Sequence, residues 1–281
     1  MNAFTSHHPT SPTDGHRQLP RGAVATGAGS PARSRIVVRT SSGNKRFADR
    51  SQSGGPPVLV IAHRGASHAR RENTLPAFEL ARWQGADGVE LDVRRTADRR
   101  LRVLHDPAPP GGTPIVERAD GDLEAWIPTL DAALDVSRGM VNVEIKDLPG
   151  EPGHDLRHTT ARLVAEALVD REGDLLVSSF APGALRAVRE VAPELRIGLL
   201  TVPGAATAGI EVALDLGAAA VHPADADVDA DLVAAAGDAG LATNVWTVDE
   251  PDRLRELAGW GVDAAITNEP AAALRALGRR P

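Results

Sequence analysis

Cysteine and tyrosine are both absent from the 281 residues, and aromatic residues make up only 3% of the chain. Without cysteine there is neither a disulfide nor a thiolate metal site, and the redox compartment stays open. So few aromatics argue against a base-stacking surface. The net charge of −7 supplies no basic field for nucleic acid. No apolar run approaches the roughly 18 residues that a membrane-spanning helix needs. Arg and His punctuate the first residues, so no signal-peptide core is visible there. The expectation is a cytoplasmic chain with no integral membrane segment and no nucleic-acid partner. What is present is an apolar fraction of 42%, enough for a real core.

Residues 1–57 are rich in Ser, Gly, Pro, Thr and Arg and lack apolar periodicity, so they read as a disordered tail. From Val58 onward strand and helix alternate. Expected strands are Val58–Ala62, Gly88–Val93, Met140–Lys146, Leu175–Ser179, Arg196–Leu200, Ala219–His222, Ala242–Thr247 and Ala264–Thr267. Helical patterns lie between them, at about Thr74–Gln84, Thr129–Ser137, Leu156–Asp170, Pro182–Ala192, Ala205–Leu216, Ala230–Ala239 and Pro251–Ala258, with a last one at about Pro270–Leu277. Leu101–His105 is an extra strand beside the second. Eight strands each leading to a helix predict an α/β fold of the (β/α)8 TIM-barrel kind over residues 58–281. A doubly wound open sheet is the alternative. No GxGxxG follows the first strand, which argues against a dinucleotide-binding version.

The chemistry gathers between Val58 and Pro107. His63, Arg64 and Gly65 follow the first strand. Glu90 and Asp92 alternate with Val89, Leu91 and Val93, so the two carboxylates share one face and the valines and leucine the other. Thr96 to Arg99 is turn-like. If it closes an antiparallel hairpin, Asp92 falls opposite Val103 and Glu90 opposite His105, a register that one residue of slip would break. Further on, Glu144 and Lys146 share a face of the third barrel strand. Three carboxylates from adjacent strands repel one another, and either a hard divalent cation or pairing with Arg64 and Lys146 relieves that. Two imidazoles suit proton transfer near neutral pH. Asn73 or Thr74 reads as a cap for the first helix. His222 reads as a loop histidine, and His68, His154 and His158 as surface residues. Asn268 reads as structural, with capping of the last helix as its expected role.

The order His63-Arg64-Gly65, Glu72-Asn73-Thr74, Glu90-Leu91-Asp92-Val93, His105-Asp106, Glu144-Ile145-Lys146, Ser179-Phe180, Val245-Trp246-Thr247-Val248 and Thr267-Asn268-Glu269-Pro270 resembles the glycerophosphodiester phosphodiesterase family. The resemblance spans about residues 58–270. It implies a metal-dependent phosphodiesterase that releases glycerol 3-phosphate and an alcohol from a small glycerophosphodiester. It also implies Glu90, Asp92 and Glu144 as ligands of one Ca²⁺ or Mg²⁺ and His63 and His105 as the acid–base pair. Arg64 and Lys146 would hold the phosphate. Glu72, Phe180 and Trp246 are candidates for the substrate pocket, with core packing the other reading of the two aromatics.

Two departures stand out. Arg71 occupies the position before Glu72 where the family usually has proline. Only Pro107 to Trp126 separate His105-Asp106 from Ile127-Pro128-Thr129-Leu130, where the family carries a longer insertion. A shorter insertion leaves a more open mouth and leaves room for a lysophospholipid, as in a lysophospholipase D. A barrel that binds a metabolite without catalysis is a further alternative.

Overall fold

The computed structural model describes residues 57–281. The expected tail, apart from Pro57, lies outside the described residues. Eight parallel strands close into a barrel with helices between them, the expected architecture. The barrel strands are β1 (Leu59–Ala62), β2 (Gly88–Arg95), β4 (Met140–Ile145), β5 (Asp174–Ser179), β6 (Arg196–Leu200), β7 (Ala220–His222), β8 (Ala242–Trp246) and β9 (Ala264–Thr267). β1 pairs with β9 on one side and β2 on the other, which shuts the ring. β3 (Leu101–Val103) adds to the edge of β2, antiparallel.

The helices are α1 (Leu75–Trp83), α2 (Leu130–Val136), α3 (Thr159–Leu168), α4 (Pro182–Val191), α5 (Ala206–Asp215), α6 (Ala230–Asp238), α7 (Pro251–Trp260) and α8 (Pro270–Ala276). Proline opens α4, α7 and α8, where its missing N–H costs nothing. Thr129 and Asp229 cap α2 and α6 by accepting from Ala132 N and Leu232 N at 3.1 and 2.8 Å. α3 starts three residues later than its apolar pattern suggests. Leu156, counted into that pattern, is almost wholly exposed.

Strand parity divides the packing into two layers. Val60, Ala62, Val89, Leu91, Val143 and Val177 face the helices and join Phe78, Leu168 and Leu185 in the main core. Each large side chain buried there contributes about 2 kcal/mol of transfer free energy. The other face fills the barrel with smaller clusters, one of Ile61, Met140, Ala264 and Ile266, another of Leu176, Ala220 and Ala242. Gly198 makes room in that interior, since a Cβ there would sit 2.5 Å from His222 Nε2. At the opposite end of the strands from the mouth, Arg279 grips Asp87 at 2.6 and 2.7 Å, and Asp87 in turn accepts from Val60 N at 2.8 Å. The chain's end is thereby tied to the closing seam.

The β2–β3 hairpin forms, but one residue out of the expected register. Val93, not Asp92, stands opposite Val103, and Arg94 stands opposite Arg102. The turn sets this: Thr96 Oγ1 donates to Asp98 and accepts from Arg100 N, with Arg99 in the left-handed region at φ 63°. The strand also ends at Val103, so His105 takes its direction from the following bend and not from the ladder. Among the described residues no helix is long and apolar enough to cross a membrane.

Candidate active site

The first turn after β1 is built to bend the backbone over the barrel mouth. Arg64 adopts φ 56° and Gly65 φ 82°. A Cβ on Gly65 would lie 2.6 Å from the Ala77 carbonyl carbon, so only glycine lets the turn rest on α1. The bend aims Arg64 N at Glu90 Oε2, 2.9 Å away. Its guanidinium reaches Asp92 at 3.3 Å through Nε and Glu72 at 2.9 Å through Nη1. Glu72 is thus about half exposed and paired with Arg64.

Asn73 does not cap α1. It is buried, with φ 56°, and its amide donates to Asp92 Oδ2 at 2.7 Å while its oxygen accepts from Asp92 N at 3.2 Å. Thr74 holds the N-cap position without a side-chain cap bond. A site-positioning amide was therefore hidden in what looked like a helix-start signal.

Glu90, Asp92 and Glu144 come together as expected. Their oxygens lie within 4.8 Å of one another, and all three residues are buried. β2 and β4 pair in parallel with Asp92 beside Glu144, which fixes the spacing. Lys146 Nζ lies 2.9 Å from Asp92 Oδ1 and also pairs with Glu144. Lys146 and Arg64 are the two cations facing these three carboxylates, and Arg64 is shared with Glu72, so carboxylates outnumber cations. Burial, then the charges of Asp92 and Glu144, push the Glu90 carboxyl well above its usual range. Burial lifts Glu144 to about 7, against the pull of Lys146. Asp92 goes the other way: burial is outweighed by Lys146 and Arg64, which hold it well below the carboxylate range. Lys146 is raised, its own burial outweighed by Asp92 and Glu144.

Glu90 Oε1 is buried with no hydrogen-bond partner. An unpartnered carboxylate oxygen, a surplus of carboxylates over cations and an all-oxygen donor set fit a hard divalent cation.

His63 is half-buried at the end of β1. Its Nδ1 meets Asn268 Oδ1 at 2.8 Å. Asn268 cannot be turned round, because its Nδ2 donates to Asp249 Oδ2 at 2.7 Å, and a carboxylate only accepts. Ser67 Oγ also donates to Asn268 Oδ1, at 2.9 Å. Nδ1 of His63 therefore carries the proton, and Nε2 keeps the lone pair. Burial, then Arg64, lowers the His63 pKa, so the neutral ring is favoured. Asn268 is thus neither a cap nor a spacer; Glu269 occupies the cap position of α8. His105 Nδ1 meets Asp106 Oδ1 at 2.8 Å.

A model of the glycerophosphoryl diester phosphodiesterase family matches residues 63–109 and 108–272. A glycerophosphodiester phosphodiesterase of Caldanaerobacter subterraneus subsp. tengcongensis is 32% identical over 235 residues, covering 76% of this chain and 95% of the relative. The chain belongs to this family. A solved structure of an Oleispira antarctica phosphodiesterase, in complex with the product sn-glycerol-3-phosphate, is similar with a TM-score of 0.71 and 27% identity, over 79% of this chain and 97% of that one. The glycerophosphodiester phosphodiesterase of Thermotoga maritima is similar with a TM-score of 0.67 and 25% identity, over 79% and 99% of the two chains.

The segment after His105-Asp106 is where the two matched parts of the family model meet. It folds into two short 3-10 turns, Ile115–Glu117 and Asp120–Asp122, over a small cluster of Leu104, Ile115 and Ile127. Arg102 pins it through Asp120 at 2.6 and 2.7 Å. Arg71 lays its guanidinium over Trp126, 3.1 Å from the ring centre. The residue before Glu72 and the segment after His105-Asp106 thus meet in one contact.

Phe180 and Trp246 meet edge to face at 5.6 Å, both half-buried, and Trp246 Nε1 donates to His222 O at 2.9 Å. His222 is not a loop residue. It ends β7 fully buried, with Nε2 facing the Asn244 amide at 2.9 Å, and burial holds its pKa down to about 3. His68 is exposed as expected. His154 and His158 are not surface residues: each is about four-fifths covered and bonded to the buried Asp147.

Proposed function

We propose that this barrel mouth hydrolyses glycerophosphodiesters to glycerol 3-phosphate and an alcohol. The observation that carries the reading is the meeting of three buried carboxylates with Arg64 and Lys146 between two imidazoles. Glu90, Asp92 and Glu144 would hold one Ca²⁺ or Mg²⁺. Such an ion supplies a Lewis acid for a phosphoryl oxygen and acidifies a nearby hydroxyl. Two added positive charges offset the excess of carboxylates, which suits a phosphodiester monoanion.

Arg64 and Lys146 bind the non-bridging oxygens and meet the charge that builds up as the bond breaks. One imidazole accepts the proton of the attacking hydroxyl, and the other gives a proton to the departing alcohol oxygen. If the substrate's own glycerol hydroxyl attacks first, the two rings exchange roles when water opens the cyclic phosphate. Asn268 holds the His63 ring so that Nε2 is the nitrogen at work. Phe180 and Trp246 form an apolar wall for the alcohol or the glycerol carbons. Glu72 keeps Arg64 in place more directly than it could touch substrate.

The test is release of glycerol 3-phosphate from glycerophosphocholine by the full chain with Ca²⁺, with Mg²⁺ and with EDTA, beside Glu144→Gln and His63→Ala. Metal-dependent release lost in both variants supports the reading, and no release with any metal from folded protein sinks it. A lysophospholipid is the second substrate class. It is favoured by Leu156, 94% exposed after β4, and Val202, 55% exposed after β6, two apolar side chains on loops at the mouth end of the strands. Faster turnover of a lysophospholipid than of glycerophosphocholine would select it.

A further inference from the structure

We infer that Asp147, His154 and His158 form a second metal site, distinct from the carboxylate site, for a transition-metal dication of the zinc class. The three donor groups lie within 4.8 Å of one another. Asp147 Oδ1 meets His154 Nδ1 at 2.9 Å, and Oδ2 meets His158 Nδ1 at 2.7 Å. Asp147 is 1% exposed, yet among the described residues no lysine or arginine pairs with it; the two imidazoles are its side-chain partners there. A buried carboxylate without a formal cation is costly, and a dication shared with two neutral imidazoles removes that cost.

The donor set differs in kind from the other cluster. Two imidazole nitrogens and one carboxylate oxygen suit zinc, cobalt or nickel, whereas three carboxylates suit magnesium or calcium. Tetrahedral bonds of about 2.0–2.1 Å place donor atoms roughly 3.3 Å apart. The present contacts, Oδ1 to His154 at 2.9 Å and Oδ2 to His158 at 2.7 Å, are hydrogen bonds to the two carboxylate oxygens, and an ion would replace them. The two histidine rings already stand edge to face, 5.8 Å between centres.

The backbone is shaped to bring the donors together. Asp147 follows β4 directly. The loop then returns, and His158 takes φ 51° immediately before α3. Gly183, at the start of α4, leaves room for the His158 ring: a Cβ there would fall 2.4 Å from Nε2. Asp155 of the same loop is fastened to Arg95 at 3.2 Å. A metal here would lock the loop that carries the exposed Leu156, next to Lys146 at the mouth. Its role is structural and regulatory, with no part in the bond-breaking step.

The probe is Co²⁺, added to the untagged full chain in saturating Mg²⁺, which occupies oxygen-only donors. Wild type is expected to take up about one equivalent with the strong visible absorption of a four-coordinate nitrogen-containing site. His154→Gln and His158→Gln, each at a partly exposed position, should each weaken that uptake by roughly tenfold or more, while Glu144→Gln retains it. Circular dichroism identifies folded variants. No such absorption in wild type overturns the proposal. So does absorption unchanged in both folded histidine variants, which would leave the cluster as a hydrogen-bonded clip for the loop.

Discussion

β4 delivers two groups of donors, three residues apart, that solve the same electrostatic problem in different ways. Glu144 joins Glu90 and Asp92, three oxygens of like charge with Lys146 and Arg64 as incomplete compensation. Asp147 is met by two imidazoles that donate hydrogen bonds. The first group is left with a strained charge balance, raised glutamate pKa values and an unpartnered oxygen. The second is fully hydrogen-bonded. The difference separates their chemistry: surplus charge at the mouth suits a hard cation against a phosphate, whereas two imidazoles and one carboxylate suit a softer ion that would lock a loop.

The largest expected effect comes from breaking the first group. Glu144→Gln should lower kcat by about 10⁴-fold in saturating Mg²⁺, several kcal/mol of lost charge stabilisation, read as glycerol 3-phosphate release. Next, His63→Ala and His105→Ala should each cost about 10³-fold in kcat with the protein folded.

A smaller loss sharpens the contrast between an imidazole held by an amide and one held by a carboxylate. Asn268→Ala frees the His63 ring and should cost about tenfold in kcat/KM. Asn268→Asp gives His63 the kind of partner that His154 and His158 have. A carboxylate there favours the imidazolium but also stands against Asp249, which loses its amide donor, so the pH–rate profile should move about one unit higher at a reduced kcat. An unmoved profile would remove Asn268 from the positioning of His63.

Metal-free stability should also separate the two groups. Glu90 and Glu144 have folded pKa values above the ordinary 4.5, so between pH 4.5 and about 7 the unfolded chain has already lost protons that the folded chain keeps. Stability in EDTA should therefore fall as pH rises through that window. Asp92 is shifted down, so its stabilisation is present above its unfolded pKa and stays constant there. Adding Mg²⁺ or Ca²⁺ should raise Tm more at pH 8 than at pH 5, measured by calorimetry, and an equal rise at both would contradict the assignment of that charge surplus. Least of all, Arg71→Ala removes one guanidinium–indole contact at the mouth and should cost under about 1 kcal/mol.

The elements of the barrel were legible because each strand and helix declares itself locally. Arg196–Leu200 and Ala264–Thr267 are bounded by turn residues and match the expected spans. The carboxylates were legible for the same reason: period-two alternation put Glu90 and Asp92 on one face, and the parallel register with β4 did the rest. What escaped depends on partners far away or on a turn's inner bonding. The hairpin slipped by one because Thr96 and Asp98 set its turn. Asn73 resembles a cap, and only the fold brings Asp92 against it. His154 and His158 look like surface polar residues until Asp147 is seen beneath them. His222 closes a strand of three residues, too short to announce that its last side chain points into the barrel.

The bond from His63 to Asn268 joins positions 205 apart. A ribosome working at about 5–20 residues per second needs roughly 10–40 s to cover that distance. For most of that interval the growing chain already carries Arg64, Glu90 and Asp92, but the amide that holds the imidazole has yet to be made, and β1 still waits for β9. The site is therefore completed late, when β9 pairs with β1 and brings Asn268 to the ring.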